Sequence, residues 1–421
     1  MSGMATKKDS LRWWPSSYTS TCTIQFLKAG ILGILAGMTW DGPLYLIGFL
    51  FFVPVLWFML RPYESMIFIF SYYLFSLKSL PILFARYNNP YSHEYLSKFI
   101  LLWILYAGLL SFPWFTMKGI LYKIKQPGIM TMAPIIPIIL GIIPPFYIIG
   151  VASPVEAAGI FFPGMGLVGI FLYFIAIISL CLVINKKVKA NHSLLLTFFI
   201  FYSVYCNREF KKPEPPKNWV AVSTQFAPQI NKSETHARYI FLVTSLKSLV
   251  DDGYHVIVLP ENAIGLWSKK TKSMWSQIGN YARSKGATVL SGAFLNVGKD
   301  NKSFDGGIVA FGKQNGIVYL TRQPVPMTEW ISFFSKGERV HWFSKGTNFV
   351  NRIKIAFIVC YEELLPGILI SSFLPFDKPK LIISVANNWM GKGTGEWHAQ
   401  LDSLSVMARL FGTPFLRSWN K

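Results

Sequence analysis

Side chains that could form a nucleophile and base pair follow three β-type runs in the second half of the sequence. Glu261 comes after HVIVLP, Cys360 after RIKIAFIV, and Asn387 and Asn388 after LIISVA. The carboxyl ends of strands in an α/β sheet lie at one edge, so we expect these residues to meet. A glutamate can then serve as general base to a thiol nucleophile. Taken singly, a cysteine in this position is more often an inert core thiol, and a glutamate after proline often caps a helix.

The sequence around these residues alternates between β-type runs and helical patterns. WVAVSTQFA, HVIVLPEN and ATVLSGAFL are β-type and are separated by helical segments, and GGIVAFG, GIVYLTR, RIKIAFIVCYE and PKLIISVAN continue the series before a helix near residues 397–411. This alternation predicts an α/β domain over residues 219–421, with a largely buried sheet covered by helices. A proline-rich, charged stretch at residues 207–218 has the composition of a stiff linker.

Residues 1–206 are a series of apolar stretches with short polar breaks, and the whole chain is 52% hydrophobic. A membrane-spanning helix needs roughly 20 apolar residues. The pattern predicts a polytopic α-helical membrane bundle of about seven spans, at residues 24–40, 43–60, 65–84, 96–115, 130–151, 160–185 and 192–206. The last of these is short for a span.

The net charge of +21 is distributed unevenly between the predicted loops. Lysines and arginines precede span one and follow spans two, four and six, including Lys118, whereas the alternate loops are nearly bare. Short cytoplasmic loops carry such an excess. The sequence therefore predicts a cytoplasmic amino terminus and a periplasmic α/β domain, on the bacterial inner membrane. Because the charge is mainly a topology signal, no direct nucleic-acid binding is expected.

Two further features bear on function. Lys78 lies inside the third predicted span, where an ionisable side chain is either functional or reaches the interface by snorkelling. The four cysteines have neither zinc-ligand spacing nor a close pair, so no metal site, disulfide framework or cofactor is predicted.

The motifs LPEN, VPMTEW, IVCYEE and SVANNWMG, in this order, resemble the nitrilase (carbon-nitrogen hydrolase) superfamily. More narrowly, the chain is similar to its membrane branch, the apolipoprotein N-acyltransferases, and the closing phrase MARLFGTPFLRSWN resembles the TraB proteins of conjugative plasmids. The resemblance implies an α-β-β-α sandwich for residues 219–421. It extends to residues 1–206 by hydropathy and topology only.

The resemblance also implies roles for individual residues. Glu261 corresponds to the general base and Cys360 to the nucleophile that forms a thioester. Glu329 and Glu362 correspond to supporting glutamates of the site, although a solvated or ion-paired carboxylate is the alternative for both. The residues that follow the LIISVA run are candidates for substrate binding: Asn387, Asn388 and Trp389.

One departure from the family pattern affects the expected catalysis. Thr321, in TRQPVPMTE, occupies the position of the family's lysine and cannot supply its positive charge. Losing one oxyanion donor costs about 100- to 1,000-fold in turnover. Arg322 could replace the lysine if the loop shifts, but neighbouring residues of an extended segment point to opposite sides.

Three functions follow as expectations. The first is a membrane-bound acyltransferase that takes an acyl group from a membrane lipid and transfers it to a protein amine, in conjugal transfer. The second is a catalytically impaired nitrilase-fold component of the conjugation machinery, which Thr321 favours. The third is an amidase with a small soluble substrate, for which seven spans give no reason.

Overall fold

The computed structural model describes residues 20–88, 96–123, 127–185, 191–226, 232–296, 303–326, 329–331 and 336–421. The first half is helical throughout the described residues. Its α-helices are α1 (Ser20–Gly37), α2 (Phe52–Met59), α3 (Pro62–Ser76), α4 (Leu80–Asn88), α5 (Leu96–Lys123), α6 (Pro127–Met132), α7 (Ile136–Ile142), α8 (Ala157–Phe161), α9 (Gly166–Ile184) and α10 (Asn191–Glu209). Short 3₁₀ helices cover Met38–Asp41, Leu44–Phe51, Phe146–Gly150 and Pro154–Glu156.

Three of the described helical stretches are long and apolar enough to cross a membrane: Thr23–Asp41, Phe99–Leu121 and Gly166–Ile184. A fourth span results if α3 and α4, which are bent by 44° relative to each other, are counted as one. The predicted number of seven is therefore not confirmed. The expected span at residues 130–151 is broken into short helices, because Pro134, Pro137, Pro144 and Pro145 interrupt it.

Lys118 and Lys78, two lysines of the helical half that the sequence analysis considered, have hydrogen-bond or ion-pair partners in the structure. Lys118 does not lie in a loop, as predicted, but inside α5, where its ammonium group is buried and donates to the carbonyls of Trp57 and Phe58 at 2.8 and 3.0 Å. Lys78 forms an ion pair with Asp41. The lysines before span one and after span six lie outside the described residues.

The described residues of the second half form eleven strands and four α-helices. The strands are β1 (Trp219–Ala221), β2 (Val256–Leu259), β3 (Thr288–Asn296), β4 (Ser303–Gly312), β5 (Gly316–Leu320), β6 (Trp330–Ile331), β7 (Lys336–Glu338), β8 (Thr347–Val350), β9 (Ile353–Val359), β10 (Leu381–Asn387) and β11 (Phe415–Asn420). The helices are α11 (Lys232–Asp251), α12 (Lys269–Ser284), α13 (Pro366–Ser372) and α14 (Glu396–Phe411).

These strands form two sheets. The larger has the order β1-β2-β3-β4-β7-β6, with β5 also paired to β4, and the smaller has the order β11-β10-β9-β8. Strands β1, β2 and β3 are parallel, as are β9, β10 and β11. The strands that precede Glu261, Cys360 and Asn387 therefore run in parallel groups, which brings their carboxyl ends to common edges.

Successive side chains of each strand point to opposite faces of its sheet, and this arrangement gives the second half four layers. Val258 of the larger sheet packs against Phe357 of the smaller one, in a core between the sheets. The neighbouring Ile257 points the other way, toward α11 and α12. On the outer face of the smaller sheet, Ile358 packs in a core shared with α13, α14 and the helices of the first half. The second half is thus an α-β-β-α sandwich that is continuous with the helical half.

Close contacts fix the two halves to each other. Gly159 of α8 lies against α14, where an added Cβ would be 2.1 Å from the Val406 carbonyl oxygen, so only glycine fits. The hydroxyls of Tyr106 in α5 and Tyr361 are 2.7 Å apart. A side chain of a membrane-type helix therefore contacts the residue directly after Cys360.

Candidate active site

Glu261 and Cys360 both follow buried parallel strands and lie in unusual backbone. Cys360 directly follows β9 with φ of 46°, in the left-handed region, and is the first residue of a 3₁₀ helix over Cys360–Leu364. Glu261 comes two residues after β2 and is followed by Asn262 with φ of 56°. Left-handed backbone in residues other than glycine is costly and concentrates at functional sites. The two sharp turns project these side chains from the ends of their strands.

The neighbouring strand leaves room for Glu261 because it carries a glycine. A Cβ on Gly292 of β3 would lie 2.4 Å from the Glu261 Cα. No larger residue fits there without moving the backbone that carries the glutamate.

Cys360 and Glu261 line the same cavity and are close enough for the charge of the carboxylate to act on the thiol, with Asn387 beside both. Burial and the nearby charge of Glu261 hold the pKa of Cys360 well above its ordinary value. The thiol is therefore protonated before reaction, and a nucleophilic sulfur requires a base that takes the proton during attack. Glu261 is placed to do so.

Two further glutamates lie close to this pair. Burial, followed by the charge of Glu329, raises the pKa of Glu261 well above its usual range, and burial raises the pKa of Glu329 as well. Glu338 interacts with both, accepts a hydrogen bond from the Gly306 backbone at 2.8 Å, and lies beside Thr321. Because no cation among the described residues offsets these carboxyl groups, they hold protons more strongly than exposed glutamates do.

Arg322 does not lie where a replacement for the family lysine is needed. Its guanidinium donates to the hydroxyls of Tyr319, Ser371 and Ser372, at 3.1, 2.8 and 2.9 Å. It lines a second cavity and is not among the residues around Cys360. The position of Arg322 argues against the replacement role, because Thr321 and Arg322 point to opposite sides of an extended segment.

Glu362 is fully enclosed and binds the loop that carries Thr321 to the turn that carries Cys360. Its carboxylate accepts hydrogen bonds from the backbone amides of Val359, Arg322 and Gln323 at 2.8, 2.6 and 3.2 Å, and from the Tyr319 hydroxyl. Glu362 does not line the cavity beside Cys360. Its geometry supports a positioning role rather than contact with a substrate.

The three residues expected to bind substrate all line the same cavity as Cys360. The Asn387 side chain accepts from Asn420 at 2.9 Å. Asn388 donates through its side chain to Gln400, and Trp389 begins a 3₁₀ helix over Trp389–Gly391. The structure therefore brings Glu261, Glu329, Cys360, Asn387, Asn388 and Trp389 together.

The cavity has a volume of about 300 Å³, and its walls come from both halves of the chain. Helices α4 and α5 and the end of α3 supply an apolar wall of Leu77, Leu80, Leu83, Phe84, Leu102 and Leu109. The outer side of α5 is also apolar, with Leu101 60% and Leu105 58% exposed. A thiol and a carboxylate thus face a chamber that is lined on one side by membrane-type helices.

Glu396 and Tyr106 are among the cavity residues that were not predicted from the sequence. Glu396, at the start of α14, lines the cavity, and burial raises its pKa to about 7. Tyr106 of α5 reaches the cavity beside Tyr361. In the sequence, the two glycines that flank Thr394 and the acidic residue in the first turn of α14 could have indicated Glu396. Nothing in the hydropathy pattern singles out Tyr106, which lies within an apolar helix.

No family model matches the chain. A probable conjugal transfer protein TraB from Sinorhizobium fredii is 26% identical over 405 residues, 94% of this chain and 97% of that protein. A conjugal transfer protein TraB from Agrobacterium fabrum is 27% identical over 66% of this chain and 64% of its own length. The resemblance to TraB proteins that the closing motif indicated is confirmed over nearly the whole chain.

Solved structures with partial similarity include a carbon-nitrogen hydrolase from Helicobacter pylori, with 12% identity and a TM-score of 0.37 over 48% of this chain and 72% of that one. An amidase from a Nesterenkonia species has 10% identity and a TM-score of 0.34, over 48% of this chain and 74% of the amidase.

Proposed function

We propose that this protein is a membrane-bound acyltransferase that works through a thioester on Cys360, as a component of a conjugative transfer apparatus. One observation carries the proposal: the Cys360 thiol and the Glu261 carboxylate meet in a cavity whose opposite wall consists of apolar helices. A membrane lipid is the acyl donor that fits this wall. The similarity to TraB proteins over 94% of the chain supports the role in conjugal transfer.

The proposed reaction has two half-reactions that share one base. In the first, the sulfur bonds to the acyl carbonyl carbon while Glu261 takes the thiol proton. The bond from this carbon to the leaving oxygen of the lipid breaks, and the proton passes to that oxygen. In the second, a protein amine bonds to the thioester carbon, and its proton reaches the departing sulfur through Glu261. An amide is released and the free thiol is restored.

The location follows from the charge pattern and the helices. We place the protein in the bacterial inner membrane, with a cytoplasmic amino terminus and residues 219–421 in the periplasm, joined by the linker at residues 207–218. The helices counted as candidate spans, and the lysines that precede the first predicted span and follow the sixth, support this arrangement. We do not assign a separate cofactor or metal to the reaction.

Transfer of label from a lipid tests the proposal. Purified protein in lipid nanodiscs is incubated with phospholipid that carries a labelled acyl chain, and peptides are examined by mass spectrometry. The proposal predicts a hydroxylamine-sensitive acyl group on Cys360 that Cys360→Ala abolishes and Cys206→Ala retains. Cys206 is a matched control, because it is a buried cysteine of the helical half. Unlabelled Cys360 in the intact protein would count against the enzyme.

A second function is favoured by one specific observation: among the described residues that line the cavity, none is lysine, arginine or histidine. Without a cation near the developing oxyanion, the nitrilase-like site is impaired, and the protein serves the conjugation machinery as a membrane scaffold. A plasmid-transfer assay separates the two functions. A scaffold keeps its transfer frequency with Cys360→Ala, whereas an enzyme loses it.

A further inference from the structure

Among the described residues, the cavity is lined by acidic side chains but by no basic ones. The acidic side chains are those of Glu261, Glu329 and Glu396. Nearby cations are engaged elsewhere: Lys78 pairs with Asp41, and Arg86 donates to the carbonyls of Met390 and Lys392. A ligand that donates hydrogen bonds or carries positive charge therefore fits this lining better than an anion does.

Asn388 supplies an independent sign of a missing donor. Its side chain is only 6% exposed, lines the cavity, and has an amide oxygen without a hydrogen-bond partner among the described residues. The orientation of this amide is fixed from the other side. Gln400 Oε1 accepts from Arg417 at 3.2 Å and from the Asn388 side-chain nitrogen, so the Asn388 oxygen must point away from Gln400. A buried acceptor without a partner costs free energy that a donating ligand recovers.

Glu396 lies on the same face of α14 as Gln400, one helical turn earlier. It also lies next to the apolar wall, because a Cβ on Gly391 would be 3.6 Å from both Leu83 Cδ2 and Glu396 Cβ. Hydrogen bonds from Ser79 and Arg86 hold this part of the chain against α4. The acceptor oxygens of Glu396 and Asn388 thus lie at the boundary between the helical wall and the sandwich.

We propose that Glu396 and Asn388 form a subsite for an ammonium group, and that the cavity binds an amphipathic ammonium compound with its alkyl part against α4 and α5. The rings of Trp389 and Tyr361 also line this end of the cavity, and aromatic faces attract ammonium groups. The inference rests on the proposed function, since it names the substrate class of the same site. A bound cation also favours the ionised form of the cavity glutamates, and so increases the fraction of Glu261 that can accept a proton.

Protection of Cys360 from alkylation tests the subsite without requiring turnover. The intact protein in nanodiscs is treated with N-ethylmaleimide at pH 8, with octylammonium, octanol or octanoate, and the rate at Cys360 is divided by the rate at Cys206 in the same sample. We expect octylammonium to protect Cys360 at a concentration at least ten-fold lower than the other two compounds. Equal protection by octanol, better protection by octanoate, or no protection by octylammonium would overturn the subsite.

A matched pair of variants locates the effect. Glu396→Gln removes the carboxylate and is expected to raise the protective concentration of octylammonium at least ten-fold, with octanol unchanged. Asp402→Asn makes the same change of charge on the same helix, away from the cavity lining, and is expected to leave both values unchanged. Equal losses in both variants would indicate a general charge effect and contradict the subsite. If Glu396→Gln does not fold, the comparison of the three compounds on the unaltered protein still decides.

The two proposals can fail separately. A protein that prefers octylammonium but never acquires an acyl group on Cys360 retains the subsite and loses the acyltransferase. A protein that is acylated on Cys360 but is protected equally by all three compounds retains the enzyme and loses the subsite.

Discussion

Two groups of glutamates lie near Cys360, and their environments differ. Glu362 and Glu363 directly follow Cys360 in sequence and have many partners: Glu362 accepts from three backbone amides, and Glu363 forms a bidentate pair with Arg417 at 2.7 and 2.8 Å. The cavity glutamates Glu261, Glu329 and Glu396 have no cationic partner among the described residues.

This difference distinguishes the carboxylates that stabilise the fold from those that are available for proton transfer. A buried carboxylate that is fully paired is fixed in place, and breaking its pair is strongly destabilising. A buried carboxylate without a cation holds its proton more strongly and can exchange it with a substrate. Glu362 and Glu363 directly follow Cys360 but are the paired carboxylates, whereas the cavity glutamates are distant from Cys360 in the sequence. Sequence proximity to Cys360 therefore does not identify the carboxylates that are available for proton transfer.

The largest change in the free energy of unfolding is expected when the ion pair between Glu363 and Arg417 is broken. The Glu363 and Arg417 side chains are 0% and 5% exposed. Replacing Arg417 by Met leaves Glu363 buried without a charge partner and should lower the free energy of unfolding by about 3–5 kcal/mol. Denaturant unfolding of the purified protein measures this. The double variant Glu363→Gln/Arg417→Met should recover much of the loss, and a single variant as stable as the parent would contradict the assigned role.

The cavity glutamates should make the stability of the folded protein depend on pH. Burial raises the pKa of Glu396 from 4.5 to about 7. Between these two pH values the folded protein keeps a proton that the unfolded chain has lost, so stability falls as pH rises. The contribution is at most about 3 kcal/mol, at about 1.4 kcal/mol for each pKa unit. Thermal unfolding from pH 4.5 to 8 should decline less steeply in Glu396→Gln than in the parent. Parallel profiles would show that Glu396 titrates normally.

The smallest expected effect concerns the contact between the two halves. Tyr106→Phe removes the hydrogen bonds to Tyr361 and to the Ile148 carbonyl but keeps the ring. The loss in unfolding free energy should be about 1–2 kcal/mol. Because Tyr361 adjoins Cys360, the alkylation rate of Cys360 should also change, whereas Tyr202→Phe, a tyrosine of α10, should leave that rate unaltered. Identical rates in both variants would mean that the tyrosine contact does not position the nucleophile.

Much of the sandwich could be predicted from the sequence, because its buried strands have strong periodic patterns. The runs that became β2, β3, β4, β5, β9 and β10, and the helices α11, α12 and α14, follow the expected order. The short strands β6 and β7 have too few residues to give a periodic signal. The helical half was harder to predict, because hydropathy alone does not show where prolines break an apolar run, as at residues 134–145.

The site could be predicted in part. The positions of Glu261 and Cys360 after their strands indicated that they could meet, since carboxyl ends of parallel strands share an edge. The direction of Arg322 depended on the pairing of Glu362 with the loop backbone, which no sequence pattern reveals. Glu396 was missed, because a glutamate in the first turn of a helix is ordinarily a favourable charge at a helix start. Glu396 reaches the cavity because the 3₁₀ helix Trp389–Gly391, just before α14, packs against α4.

The reaction of Cys360 with p-nitrophenyl octanoate, compared between the parent protein and Glu261→Gln, shows whether Glu261 takes the proton of the thiol. Glutamine keeps the shape of the side chain but cannot accept the thiol proton. The rate of acylation at Cys360, measured by intact mass, should fall by about 100-fold or more, the usual contribution of a general base. Rates that agree within about two-fold would contradict the pairing of Glu261 with Cys360.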